Sequence, residues 1–245
     1  MLHTLQSLLL AAGLALVAGG LWMRDRLPGP EAVMPLSLPE PVQEPESKPP
    51  FPVSAGGVDY VVRPLYRYEL RGMVVSRHDT SAWWDVVHRG WGDHLNVADI
   101  CVVWGDTLKS GLHRAMRYSS GTFTCYYASD DPAAWQRFRH DEISNNHLLA
   151  TDPATVRRLR SVRPGDQILV RGALAEYGLA GGGFARGTST RRDDQGNGAC
   201  ETIWVTEAFV TRRANAGWRA AVPVGVGGVL LALVLFVVLP PRPVG

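Results

Sequence analysis

Cysteine is scarce, with three residues in a chain of 245. None of them forms a CxxC pair, which argues against a structural zinc site. The chain also lacks HExxH, GxSxG, GxGxxG and any glycine loop ending in Lys-Ser/Thr. Ready-made signatures of zinc proteases, α/β-hydrolases and nucleotide sites are thus missing. Ser, His and Asp occur, but no spacing joins them into a triad, and no carboxylate dyad stands out. Charge of one sign is missing too: 25 Lys and Arg face 23 Asp and Glu. The central part is equally balanced, and arginine supplies nearly all its cations. A nucleic-acid partner needs a net basic surface or stripe, so none is expected. No repeat recurs at a period of about 20 to 50 residues.

What the chain does have is two long uncharged runs. Leu5 to Met23 contains 19 residues with only Gln6 and Ser7 clearly polar. At a rise of about 1.5 Å per residue it crosses roughly 30 Å of hydrocarbon. Trp22 ends it, as an interfacial aromatic would. Residues 1–26 are read as a membrane anchor, with a cleaved signal peptide as the alternative. Val222 to Leu239 is the second run, weakened in its first half by Pro223 and three glycines. Apolar on all sides, it reads as a transmembrane helix (222–239), preceded by a basic segment (212–221) and followed by a tail (240–245). The partner this implies first is the lipid bilayer.

Residues 27–52 are proline-rich and read as a semi-rigid spacer. Residues 53–211 are then the folded domain. Tyr66–Val75, Ile100–Trp104, Thr122–Ala128, Gln167–Tyr177 and Thr202–Val210 carry strand patterns. Asp152-Pro153 fits an N-cap followed by Pro at the first helical position, and Ser81–His88 is a weaker helix. Arg163-Pro164-Gly165-Asp166 marks a turn. Gly172, inside a strand, suits a bulge or bend. The fold class expected is mainly β (α+β): a small barrel or sandwich, OB-like in one version, with one or two helices, flanked by two transmembrane helices.

Candidate site residues are few. Cys101 reads as a small buried hydrophobe. Cys125 and Cys200 are the candidate pair for one disulfide in an oxidising compartment, a pairing that sequence alone does not settle. His140, Asp141, Glu142 and His147 resemble a metal cluster but lack ligand spacing, and read as solvated loop residues. No metal and no cofactor is expected. Asn145, Asn146 and His147 form a compact polar group suited to fixing a loop backbone. Between Gly181 and Cys200, Arg192 and Asp194 suit a loop held by an Arg–carboxylate pair or a binding loop at a barrel mouth, and Glu201 begins the strand that follows. Gly196 and Gly198 allow a tight turn there.

Val97-Ala98-Asp99, Val103-Trp104-Gly105-Asp106 and Ser144-Asn145-Asn146-His147-Leu148 together resemble a family of uncharacterised bacterial membrane-anchored proteins. So do Pro164-Gly165-Asp166, Gly172, Arg192, Asp194, the closing Gly196-Asn197-Gly198-Ala199-Cys200-Glu201 and Trp204-Val205. The resemblance spans about Tyr60 to Phe209. It implies an integral protein of the bacterial inner membrane and no particular catalytic residues. Relatives begin with a basic segment that places the body outside the cytoplasm; Met1–Thr4 has no Lys or Arg, and the arginines flanking the body favour the opposite side. A periplasmic body is the expectation adopted. With no catalytic signature, the expected function is a non-enzymatic, membrane-tethered domain that binds or scaffolds a protein partner of the envelope. Trp83, Trp84 and Trp91 are candidate contacts. The alternatives are an envelope hydrolase using His147, Asp194 and Glu201, or a subunit of a larger membrane complex.

Overall fold

The alternation of large and charged residues at Tyr66–Val75 belongs to one strand of 21 residues, long enough to run from one region of the sheet to another. The structure, a computed structural model, describes residues 2–194, 196 and 199–238. In chain order its elements begin with helix α1 (Leu2–Met23), strands β1 (Val42–Pro45), β2 (Phe51–Ala55) and β3 (Val58–His78), helix α2 (Val86–Trp91), strand β4 (Asn96–Val103) and helix α3 (Gly105–Lys109). The hairpin β5 (Arg117–Gly121) and β6 (Thr124–Ala128), helix α4 (Pro132–Arg137), strand β7 (Ile143–Leu149) and helix α5 (Pro153–Ser161) follow. Strands β8 (Gln167–Leu179), β9 (Ala185–Arg186) and β10 (Glu201–Arg212) precede helix α6 (Ala216–Val238). The chain divides into two units: residues 27–213, and the two terminal segments 1–26 and 214–245.

The larger unit is built on an eight-stranded sheet. Its first residues, Tyr60 to Met73, pair strand β3 with β8, and Met73 to His78 pair it with β4. β4 pairs with β7, β7 lies parallel to β10, and β10 pairs back to β8. The pairings therefore return to β3, which meets its two neighbours along different lengths. The expected small barrel takes the form of a strongly curled mixed sheet, not a true barrel. Gly172 serves this curl as a point of close approach: a Cβ there would lie 1.8 Å from the Trp204 carbonyl oxygen. Opposite it, β10 shifts register between Val205 and Glu207, the local irregularity that bends a strand.

Inside the curl, Tyr68, Leu70, Ile100, Val102, Trp104, Leu148 and Ile203 form the main core, with Leu159 of α5 closing one end. Helix α5 starts as its sequence dictates: the Asp152 carboxylate accepts from the Thr155 N–H at 2.7 Å, with Pro153 at the first turn. The turn after it has Gly165 at φ 87°, a conformation glycine adopts without cost.

Residues 27–52, read from sequence as a spacer, pack onto the sheet. Leu27, Val33 and Leu38 cover a second core with Met73, Val103 and Leu108. The buried Gln167 amide fastens them: its oxygen accepts from the Met34 N–H at 2.7 Å and the Ser37 hydroxyl at 2.8 Å, and its nitrogen donates to the Ala32 carbonyl at 2.8 Å. β1 and β2 then pair with β3. Proline limits these residues to single 3-10 turns, Pro30–Ala32 and Pro35–Ser37, and is tolerated on edge strands.

In the other unit, α1 and α6 are long and apolar enough to cross a membrane. They approach closely at glycines. A Cβ on Gly13 would lie 2.9 Å from the Gly225 carbonyl oxygen, and one on Gly225 2.6 Å from that of Gly13. Small residues permit such backbone contact between membrane helices. The Gln6 amide donates to the Ala232 carbonyl at 3.2 Å. The expected tail 240–245 lies outside the described residues.

Candidate functional site

Strand β4 is buried along its whole length, although its sequence includes Asp99. An ionised carboxylate is costly to bury unless paired and hydrogen-bonded. Asp99 has three donors. Its Oδ1 accepts from His147 Nδ1 at 2.6 Å and from Asn96 Nδ2 at 2.7 Å, and its Oδ2 from the Phe123 N–H at 3.0 Å. Burial pushes its pKa up, but the His147 charge and these bonds outweigh that and hold it at about 2.

His147 meets Asp99 because the two residues are register partners in β4 and β7. Burial lowers the pKa of its imidazole; Asp99, by charge and hydrogen bond, and the Cys200 thiol raise it further, to about 9. Cys200 stands one residue before β10, where Thr202 is the register partner of His147 across the parallel β7–β10 pair. Its thiol lies beside the His147 imidazole, donates to the Phe123 carbonyl at 3.6 Å and receives the Asn145 Nδ2–H at 3.3 Å. Burial raises the thiol pKa; the imidazole and Asn145 outweigh it and bring it below the ordinary value. A thiol, an imidazole and a carboxylate that orients the imidazole are thus brought together, the three groups that Cys-His-Asp enzymes use, although Arg186 and not the thiol holds His147 Nε2.

Arg186 completes the cluster from β9. Its guanidinium donates to His147 Nε2 at 2.6 Å and lies 4.0 Å from the centre of the Phe123 ring. A guanidinium cannot accept, so this contact belongs to the form in which Nε2 carries no hydrogen, and the charged imidazole that Asp99 favours up to about pH 9 requires Arg186 to stand off. Taking a proton at Nε2 requires Arg186 to withdraw. Phe123 itself sits in the left-handed region at φ 59°, a strained conformation for an aromatic residue and a recurrent feature of functional sites. Its carbonyl accepts from Asn145 at 3.0 Å and its ring stacks on Trp91 at 5.4 Å. Together with Trp91, Tyr127 and Asp194, these groups line an open cavity of about 650 Å³ with the Cys200 side chain in its wall.

The expected site residues separate into two groups. Asn145, Asn146 and His147 lie within strand β7, not on a loop: Asn145 and Asn146 donate to the Phe123 and Ile100 carbonyls and His147 pairs with Asp99, while both amide oxygens stay buried without a partner. Asn145 lines the cavity and His147, on the same face of β7, is buried behind it; Asn146 turns away and donates to the Ser144 hydroxyl at 2.8 Å. Glu201 is the register partner of Asn146 and shares that other face. There it meets Arg192 at 3.1 Å, and Arg192 also donates to Gln43 at 2.9 Å. Burial lifts the Glu201 carboxyl to about 8 despite the arginine. Asp194 lines the cavity and accepts from the Ser189 hydroxyl at 2.5 Å. The trio His147, Asp194 and Glu201 is therefore not assembled; the carboxylate on His147 is Asp99. Gly196 adopts φ 80°; Gly198, the other expected turn glycine, lies outside the described residues with Asn197.

The disulfide also differs from expectation. Cys125 bonds to Cys101, with Cα atoms 5.8 Å apart, and Cys200 is free. Cys101 is the register partner of Asn145, so it projects from the same face of the sheet, where the β5–β6 hairpin brings Cys125. Cys200 is directed to Asn145 and His147 instead. Of the residues read as a solvated loop, His140 meets the Tyr127 hydroxyl at 3.1 Å and Asp141 pairs with Arg139, whereas Glu142, which accepts from the Thr107 N–H, and His147 are buried. Sequence reasoning passed over Asp99, Phe123 and Arg186. The available signal was Asp99, the one charge in an otherwise apolar strand. Comparison with protein-family models, curated proteins and solved structures finds no match to the chain.

Proposed function

We propose that the protein is a membrane-tethered thiol enzyme of the bacterial envelope, in which Cys200 is the nucleophile for acyl transfer. The observation that carries this is the buried Asp99–His147 pair, 2.6 Å apart, with the Cys200 thiol beside the imidazole in a cavity wall. His147 takes the thiol proton at Nε2 as Arg186 withdraws. The Cys200 sulfur attacks the acyl carbon, forming a C–S bond as the bond to the leaving oxygen, nitrogen or sulfur breaks. His147 then returns the proton to the leaving group. Water, deprotonated by the same imidazole, hydrolyses the thioester and restores the thiol. Asn145 Nδ2 and the displaced guanidinium are the donors available to the oxyanion. The Cys101–Cys125 disulfide supports a body on the oxidising, periplasmic side, in keeping with the resemblance to bacterial membrane-anchored proteins.

The test is incubation of the full-length protein in detergent with p-nitrophenyl acyl esters. The expected result is a burst of nitrophenol of about one equivalent and an acyl adduct on Cys200, both absent in Cys200→Ser. Equal turnover by wild type and Cys200→Ser overturns the proposal.

A second reading is a non-enzymatic domain that binds a protein partner. The exposure of Trp83 (79%) and Trp84 (62%) favours it, since exposed aromatics are common anchors of interfaces. Loss of partner capture in Trp83→Ala/Trp84→Ala with Cys200→Ser unaffected would support this reading.

A further inference from the structure

A second cluster of ligating side chains lies apart from the thiol. His78 ends β3, Asp85 caps α2 and His88 lies on the first turn of α2. Asp85 Oδ2 is 2.7 Å from His78 Nε2 and 2.6 Å from His88 Nδ1. One ligand atom from each of the three residues lies within 4.8 Å of the others. The two imidazoles stack at 5.9 Å with planes 25° apart. Asp85 is fixed in place: its Oδ1 accepts from the Val87 and His88 N–H groups at 3.1 and 3.0 Å. We infer that His78, Asp85 and His88 form a binding site for a divalent first-row transition ion, with zinc as the reference case.

The donor set is two imidazoles and one carboxylate, borderline ligands that suit zinc and its neighbours and not calcium or magnesium. A tetrahedral ion with bonds of about 2.0–2.2 Å holds its ligands about 3.4 Å apart. The two His–Asp contacts therefore open by about 0.7 Å, a side-chain rotation in each case. Three protein ligands leave a fourth position for water or a substrate oxygen, on the side of His78, whose ring is partly accessible. The groups around the ligands suit a metal site as well. Asn96 Nδ2 is 3.2 Å from His88 Nε2, and Asn96 Oδ1 is buried without a hydrogen-bond partner. Binding at Nδ1 puts a hydrogen on Nε2, and a turn of the Asn96 amide offers it that oxygen, in exchange for the bond to Asp99. The ion would thereby communicate with Asp99 through one side chain.

The experiment is isothermal titration of EDTA-treated full-length protein in detergent with ZnCl₂, with CaCl₂ and MgCl₂ as controls. One equivalent of Zn²⁺ is expected, with at least tenfold weaker binding in His78→Ala. His78→Gln keeps an N–H donor for Asp85, so the fold is retained while the imidazole is lost; the same weakening is expected there. Cys200→Ser is expected to bind Zn²⁺ as wild type does. No Zn²⁺ binding by wild type, undiminished binding by both His78 variants, or loss of binding in Cys200→Ser overturns the inference.

Discussion

Replacing Asp99 by Asn removes one charge and one acceptor from a fully buried site. Asp99 receives three donors, from His147, Asn96 and Phe123. An Asn side chain has one oxygen. Wherever its amide points, its NH₂ faces at least one of those donors, leaving a buried N–H unsatisfied at about 1–3 kcal/mol. Loss of the charge opposite His147 adds to this; breaking a buried pair from one side costs about 3–5 kcal/mol in all. With a urea m-value of about 1–3 kcal/mol/M, the unfolding midpoint of full-length Asp99→Asn in detergent is expected to fall by at least 1 M at pH 7. The pH dependence carries the sign. The folded pKa of Asp99 is depressed, so its contribution is present above about pH 4 and fades as pH falls towards 2. The folded pKa of His147 is raised, so its contribution is complete below about pH 6.5 and fades as pH rises through 9. Wild type should be most stable between these limits, and the variant should lose both flanks. A cost under about 1 kcal/mol at pH 7 with unchanged flanks would refute the reasoning.

The remaining predictions concern other parts of the fold. Peptide mapping under non-reducing conditions should recover Cys101 joined to Cys125 and Cys200 as a free thiol; a Cys125–Cys200 peptide would contradict the structure. Gln167→Leu leaves three partners in residues 32–37 unsatisfied. It should cost about 3 kcal/mol or more and open residues 27–52 to limited proteolysis. Glu201 has a raised folded pKa of about 8, so wild type binds more protons folded than unfolded between about pH 4.5 and 8, and loses stability across that range. Glu201→Gln should flatten this slope, measured by thermal unfolding at pH 5 and 8. Gly172→Ala places a methyl 1.8 Å from a backbone oxygen and should destabilise the sheet by several kcal/mol, on the order of the cost of overpacking or more.

The strands of the curled sheet were readable where the pattern was strong. The cores of β3, β4, β6, β8 and β10 coincide with alternating or continuously apolar runs, and α5 with its Asp-Pro start. β7 was hidden because Ser144-Asn145-Asn146-His147 is polar throughout, and polarity reads as loop when the cross-strand partners are unknown. Residues 27–52 misled for a related reason: proline composition says what a segment cannot form, not what it packs against. The site was legible in part. Asn145 and His147 stood out as a polar cluster, but the carboxylate on His147 lies 48 residues away in sequence and the thiol on it 53. Only the register of β4, β7 and β10 joins them. Cys200 was read as half of a disulfide because spacing alone does not tell which face of a strand a cysteine occupies.

The proposed chemistry depends on activation of Cys200 by His147. Its most direct test is the rate of iodoacetamide alkylation of Cys200 in the full-length protein between pH 5 and 10, read by mass spectrometry. Alkylation is expected to set in below the pH at which an ordinary thiol ionises, and His147→Gln is expected to return the profile to that of an ordinary thiol. A wild-type profile like that of a free thiol, or one that His147→Gln leaves unchanged, would contradict it.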